Sequence, residues 1–351
     1  MNKYGVIFAA ILPLSPLVMA EPMMYVPTGN TNEVVIIDLE TDTIVGRIDG
    51  LENAHGLSGS PNSEYLVAGS MQMPQRGMSV DTEKPVAVSE KDHAAHHKAA
   101  DGGNVKSAGE SHLSLIHLKH GHVMRRVAVR GLTHHTAISP DGKTAVAVHS
   151  GLGGISVIDL DKMSVLVSID TGEGANYAVF SNNGQRLYVS NAGTNAITEI
   201  DTQTWKRTGE FKAGKAPEHM VLGFQGKLLY TANTGDASVS AIDTKSGVTR
   251  QTYAVGQKPH GIDISADGRW LFVASKQDNS ITRINLSTGE AKGAKLSPSP
   301  YHLAYLDRLK KLYVSSRKEA KIWVIDPVTL AVKNTIALGR GVAHQMVIRD
   351  E

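Results

Sequence analysis

Seven copies of a unit about 42 residues long fill this 351-residue chain, and no other feature limits its fold so strongly. Aligning "QRLYVSNAGTNAITEID", "KLLYTANTGDASVSAID" and "RWLFVASKQDNSITRIN" fixes the register, making Tyr25, Leu66, Val146, Tyr188, Tyr230, Phe272 and Tyr313 equivalent. The spacings are 41, 80, 42, 42, 42 and 41, so one repeat carries an insertion of about 38 residues. Each unit offers four short segments, such as "LLYTAN", "SVSAID", "TRQTYA" and "HGIDIS", parted by "TGD", "TKSG" and "SADG". Such segments read as strands between turns, and none shows helical periodicity. Four strands per unit of about 40 residues signal a propeller blade. The chain is therefore expected to be an all-β, seven-bladed β-propeller.

The chain ends support a closed ring. The first repeat opens on a second strand, "MMYVPTG", and the sequence finishes on an innermost strand, "AHQMVIRDE". Pairing of the segment near His344–Ile348 with that near Met24–Thr28 would complete the split blade and leave no long free edge. The strings "LYVSNAGTNAITEID" and "LYTANTGDASVSAID" are similar to the YVTN-type propeller repeat family of exported bacterial proteins, over nearly all of residues 22–351 outside the insertion. The resemblance implies the fold; the family's functions range over binding proteins, scaffolds and relatives of cofactor enzymes.

Residues 1–20 read as a secretory signal, with Lys3 the only charge, an apolar run, and Val18-Met19-Ala20 before a cut at Glu21. The mature chain, 21–351, is thus expected to be periplasmic or secreted, with no membrane span after signal removal. Without Lys3, Lys+Arg is 35 against Asp+Glu 34, a net charge of about +1 that offers nucleic acid no broad field. Cysteine is absent, which removes thiolate ligands and a cysteine nucleophile. No nucleophile elbow, phosphate loop or paired-carboxylate site is present.

A two-residue slot at the start of each inner strand carries the functional signal. It is filled by His55-Gly56, His134-His135, Asn176-Tyr177, Glu218-His219, His260-Gly261, Tyr301-His302 and His344-Gln345. Six of seven repeats contribute a histidine, and packing gives no reason to keep imidazole. Alternating strand direction puts all seven slots at one channel mouth. His55, His134, His135, His219, His260, His302 and His344 are accordingly the expected ligands of a transition metal, copper or zinc. Glu218, His149 and His112 fall near the same face as candidates to orient them.

The insertion, about 71–110, lies between second and third strands on that face. Its Gly/Ala/Ser/Lys-rich composition reads as a mobile loop. Its Met71, Met73, Met78, His93, His96 and His97 form a candidate secondary metal-capturing tract. His117, His120 and His122 fall on the opposite face, where a solvated turn is the favoured reading. Asp38, Asp159, Asp201, Asp243, Asn285 and Asp326 follow third strands and read as turn residues rather than catalytic ones.

The slot pattern resembles the cluster-bearing propeller of nitrous oxide reductases, in which histidines at inner-strand starts hold a copper–sulfide centre. The pair His134-His135 and the single His55, His219, His260, His302 and His344 carry the likeness. The likeness stops there: the cysteine ligands of those enzymes' second, electron-transfer copper domain are missing from this sequence, so their reaction is not inferred. Exported zinc-carrying propellers are similar in joining a His-rich segment to a propeller body. The expected function is an exported carrier or sequestering protein for copper or zinc, without catalysis of its own. Its partners would be the metal ion and a metal-transport or metalloenzyme protein. Two alternatives stand beside it: an enzyme with a copper cluster or haem-like cofactor at the same mouth, and a protein- or DNA-binding scaffold.

Overall fold

The computed structural model describes residues 21–72 and 109–350. The signal-like residues 1–20 and the insertion positions Met73, Met78, His93, His96 and His97 lie outside them. Among the described residues, 28 strands form seven four-stranded antiparallel sheets, giving the seven-bladed all-β propeller that the repeat implies. No helix of the described residues is long and apolar enough to cross a membrane.

Blade five shows the pattern, running outward through Pro217–Leu222, Leu228–Asn233, Ser238–Asp243 and Thr249–Ala254. Its two middle strands are almost wholly buried, whereas the outermost is largely exposed. Burial follows from stacking of neighbouring blades. Val146, Val148, Ile155 and Val157 of blade three pack on Ala175, Ala178, Leu187 and Val189 of blade four. Each fully buried aliphatic side chain contributes about 1.5–3 kcal/mol.

The expected Asx turns close the outer hairpins. Asp159, Asp201, Asp243, Asn285 and Asp326 accept the N–H three residues ahead. The residue after that donor turns to positive φ, as at Met163 (50°), Trp205 (53°) and Leu330 (64°), with glycine at Gly247 and Gly289. These N–H groups hold the Asp243 carboxylate down to about 2, along with the Ser246 hydroxyl and Arg250. The series serves turns.

Ring closure occurs with a small shift from the expected register. Tyr25 pairs with Val347, Met24 with Ile348 and Met23 with Arg349. His344 and Gln345 precede this short strand, and the His344 N–H donates to Pro27 O at 3.1 Å. The slot residues bend away from regular pairing here, which moves the strand toward the C-terminus. Arg349 extends the closure by donating to Ser63 O of blade two at 2.7 Å.

Candidate functional site

Local backbone geometry explains how histidine can occupy either slot position. The inner strands of blades two, four, five, six and seven each break register at the slot. In blade five, Pro217 faces Asn233 and Met220 faces Thr231, so three steps oppose two. Such a bulge re-aims side chains locally and loosens strict alternation. After His55 and His260 the next residue is glycine, for a steric reason. A Cβ at Gly56 would lie 2.6 Å from His135 Cα, and one at Gly261 would lie 2.5 Å from Tyr301 O.

The structure brings the seven slot histidines together, and none is more than 4% exposed. Ring centroids of His344 and His55 lie 4.2 Å apart, His55 and His134 4.5 Å, His219 and His260 4.3 Å, and His260 and His302 4.9 Å. Across the channel, His135 lies 4.6 Å from His219 and 5.8 Å from His302. Two groups of three have ligand nitrogens within 4.8 Å of one another: His55, His134 and His135, and His135, His219 and His302. His135 belongs to both.

Neighbouring blades orient the rings. His55 Nδ1 meets His134 O at 3.1 Å, and His135 Nδ1 meets Asn176 O at 2.8 Å. A carbonyl partner requires Nδ1–H, which makes Nε2 the acceptor nitrogen of each ring. His260 Nδ1 is paired with Glu218 Oε2 at 2.5 Å, and Thr234 Oγ1 donates to Glu218 Oε1 at 3.3 Å. His135 Nε2 and His219 Nε2 share a proton at 3.1 Å. His134 Nδ1, His260 Nε2 and His302 Nε2 are buried with no hydrogen-bond partner among the described residues. A buried polar atom left unpaired costs about 1–3 kcal/mol, so three such nitrogens together have the character of a ligand-binding set.

Burial holds His134, His135, His219, His260 and His302 neutral. It brings His134 down to about 4. Burial first, and neighbouring imidazoles after it, hold His135, His219 and His302 well below 6.5. Neutral imidazole is the metal-binding form. Burial also pushes the Tyr177 hydroxyl up to about 12, and its ring stacks on His219 at 4.4 Å.

The other expected residues are placed differently. Both His149 nitrogens are engaged away from the ring, Nδ1 with Leu132 O and Nε2 with Ser156 Oγ. His112 pairs with Glu52 at 3.1 Å on a partly exposed edge. Met71 is buried, with its N–H on Asn53 O. His117 stacks on His120 at 4.3 Å and lines a separate cavity of about 470 Å³, walled also by Met23, Tyr25, Glu64 and Arg349. Sequence reasoning gives no role to Tyr177 and Tyr301, although both stand in the slot itself; they stack on His219 and His260.

Comparison with known proteins adds the family context. Residues 128–298, just under half of the chain, match the model of the family described as Lactonase, 7-bladed beta-propeller. That is the family found, rather than the YVTN-type repeat. No curated protein matches. A candidate 6-phosphogluconolactonase of Bacteroides fragilis superposes with a TM-score of 0.72 at 17% identity, covering 96% of this chain and 100% of its own. A second, from Bacteroides uniformis, gives 0.71 at 16% identity, covering 94% and 99%. Hydrazine synthase of Kuenenia stuttgartiensis gives 0.67 at 14% identity, covering 92% and 99%. These likenesses show the fold. The expectation of a metal carrier without catalysis is corrected by the family match, because the model over residues 128–298 is that of a lactonase family. The burial of the ring explains the failure physically: a carrier must exchange its ion, and seven enclosed imidazoles oppose exchange.

Proposed function

We propose that the protein is a propeller enzyme whose reaction centre is the histidine ring, loaded with a transition metal, copper or zinc. The observation that carries this reading is His135, shared by two three-histidine groups with nitrogens within 4.8 Å. Imidazole nitrogens bind zinc at about 2.0–2.1 Å, so two on one ion lie no more than about 4.2 Å apart. The 3.1 Å between His135 Nε2 and His219 Nε2 fits within that limit. Bound there, a metal would act as a Lewis acid or, if copper, as an electron carrier. The chain's own contribution is to hold neutral imidazoles in place, to orient His260 through Glu218, and to exclude water. The likeness of the slot pattern to the copper-cluster propeller of nitrous oxide reductases supports copper. The signal-like first 20 residues support export to the periplasm.

The test is elemental analysis and an absorption spectrum of the purified protein, with lactone hydrolysis assayed before and after chelation. Bound metal that is lost in His135→Ala, with activity lost on chelation, is the expected result. Failure to take up metal in stoichiometric amount would overturn the reading. A second reading rests on the 2.5 Å contact of Glu218 with His260, which makes His260 a metal-free general base for opening a cyclic ester. Hydrolysis that survives chelation and is lost in His260→Ala would select it.

A further inference from the structure

We propose that Tyr177 is a catalytic hydrogen-bond donor of the ring, its phenol donating to the carbonyl oxygen of an uncharged ester or lactone. This rests on the reading of the ring as a reaction centre and names its substrate class.

Blade four is the one blade whose slot holds no histidine; Asn176 and Tyr177 stand there instead. Tyr177 still belongs to the ring. It stacks on His219 at 4.4 Å and meets His135 edge-on at 5.1 Å, and these are the imidazoles whose Nε2 atoms lie 3.1 Å apart. Its hydroxyl reaches across the channel to blade one, where Gln345 Nε2 lies 3.3 Å away. Blades one and four oppose each other, so the phenol oxygen stands in the channel beside the centre and not in a blade core. Tyr177 is partly exposed, which leaves it within reach of a small molecule in the channel.

The direction of the hydrogen bonds sets what the phenol can do. The Leu57 N–H can only donate, and it meets Gln345 Oε1 at 3.2 Å. The amide of Gln345 is thereby fixed with Nε2 toward Tyr177, and that nitrogen also can only donate. Tyr177 Oη is therefore the acceptor, and its own proton points elsewhere. No group among the described residues accepts that proton. Phenylalanine would stack on His219 equally well, so packing does not account for the hydroxyl. In the same slot, Asn176 Oδ1 is buried without a hydrogen-bond partner among the described residues, which marks this gap in the ring as a polar subsite. A donor that is not spent on the protein suits an acceptor oxygen. The Glu218 carboxylate in the next slot opposes an anionic ligand, whereas an uncharged carbonyl meets no such repulsion. When the carbonyl carbon is attacked, negative charge gathers on its oxygen and the bond from Tyr177 strengthens, which lowers the barrier.

The experiment is calorimetric titration of the full chain, as purified and again after chelation, with δ-valerolactam, an uncharged cyclic carbonyl compound that resists hydrolysis. Wild-type protein should bind it. Tyr177→Phe keeps the stacking ring and should weaken binding by about tenfold. Gln345→Glu keeps the phenol but faces it with a carboxylate acceptor in place of an amide donor. The phenolic proton is then claimed within the protein, and binding should weaken as much as in Tyr177→Phe. A merely structural tyrosine would be indifferent to that exchange. Absence of binding to the wild type, or unchanged affinity in either variant, overturns the proposal. Metal content of each sample is read in parallel and should be equal in wild type and Tyr177→Phe, so failure of the metal reading stays distinct from failure of this one.

Discussion

His149 gives the sharpest test of the folded-state electrostatics, because it is buried and titratable yet lies outside the candidate ring. Its side chain is 0% exposed, with both nitrogens engaged by Leu132 O and Ser156 Oγ. Burial pulls it from 6.5 down to about 4. A depressed histidine stabilises the fold in its neutral form. That contribution is present in full above pH 6.5 and is lost as pH falls from 6.5 toward 4. At about 1.4 kcal/mol per pH unit, the whole window amounts to about 3 kcal/mol. His149→Leu removes two hydrogen bonds, and Ser156 Oγ keeps its 3.2 Å contact with Ser168. The variant should therefore be less stable at neutral pH by about 1–3 kcal/mol. It should also lack this histidine's share of the acid slope. Urea denaturation of both metal-free proteins, in steps from about pH 7 to about pH 4, should show curves that converge by about 3 kcal/mol and meet or cross at the acid end. The ring histidines titrate in both proteins and cancel in the difference. Parallel curves over that window would refute the argument.

Glu218→Gln keeps the shape but removes the charge that orients His260, and competition titration should show metal affinity lowered by about 10–100-fold. Removing residues 347–351 strips the three closing pairs from blade one and exposes an inner edge, so thermal unfolding should begin well below the wild-type temperature. Gly261→Ala forces a Cβ to within 2.5 Å of Tyr301 O, and chemical denaturation should show a loss of about 1–3 kcal/mol with disturbed metal binding.

The fold was legible because its determinants are local and repeated sevenfold. A short, largely apolar run such as Leu228–Asn233, followed by a turn, specifies a buried strand wherever it stands, and the split blade shared by the two termini specifies closure. The ring was legible for a related reason: the register that aligns Tyr188 with Tyr230 also aligns His219 with His260 after one step of slack. That slack is the bulge, which alternation rules cannot foresee. Sequence register could not separate His149 from Glu218, because that difference depends on the tertiary environment. His149 and Glu218 both lie near the mouth in sequence register, yet Ser156 and Leu132 engage the first within its own blade, while the second reaches His260 on the next.

The depth of the ring could not be read from strand order, and it bears most on function. Topology places a slot at a mouth but does not say whether side chains splay outward or fill the channel. Here they fill it, because Tyr177 stacks on His219 and Tyr301 on His260, closing the layer around the imidazoles. Enclosure lowers the local dielectric, keeps the rings neutral and makes each unpaired nitrogen expensive. Those conditions suit a centre that holds its metal through a reaction cycle.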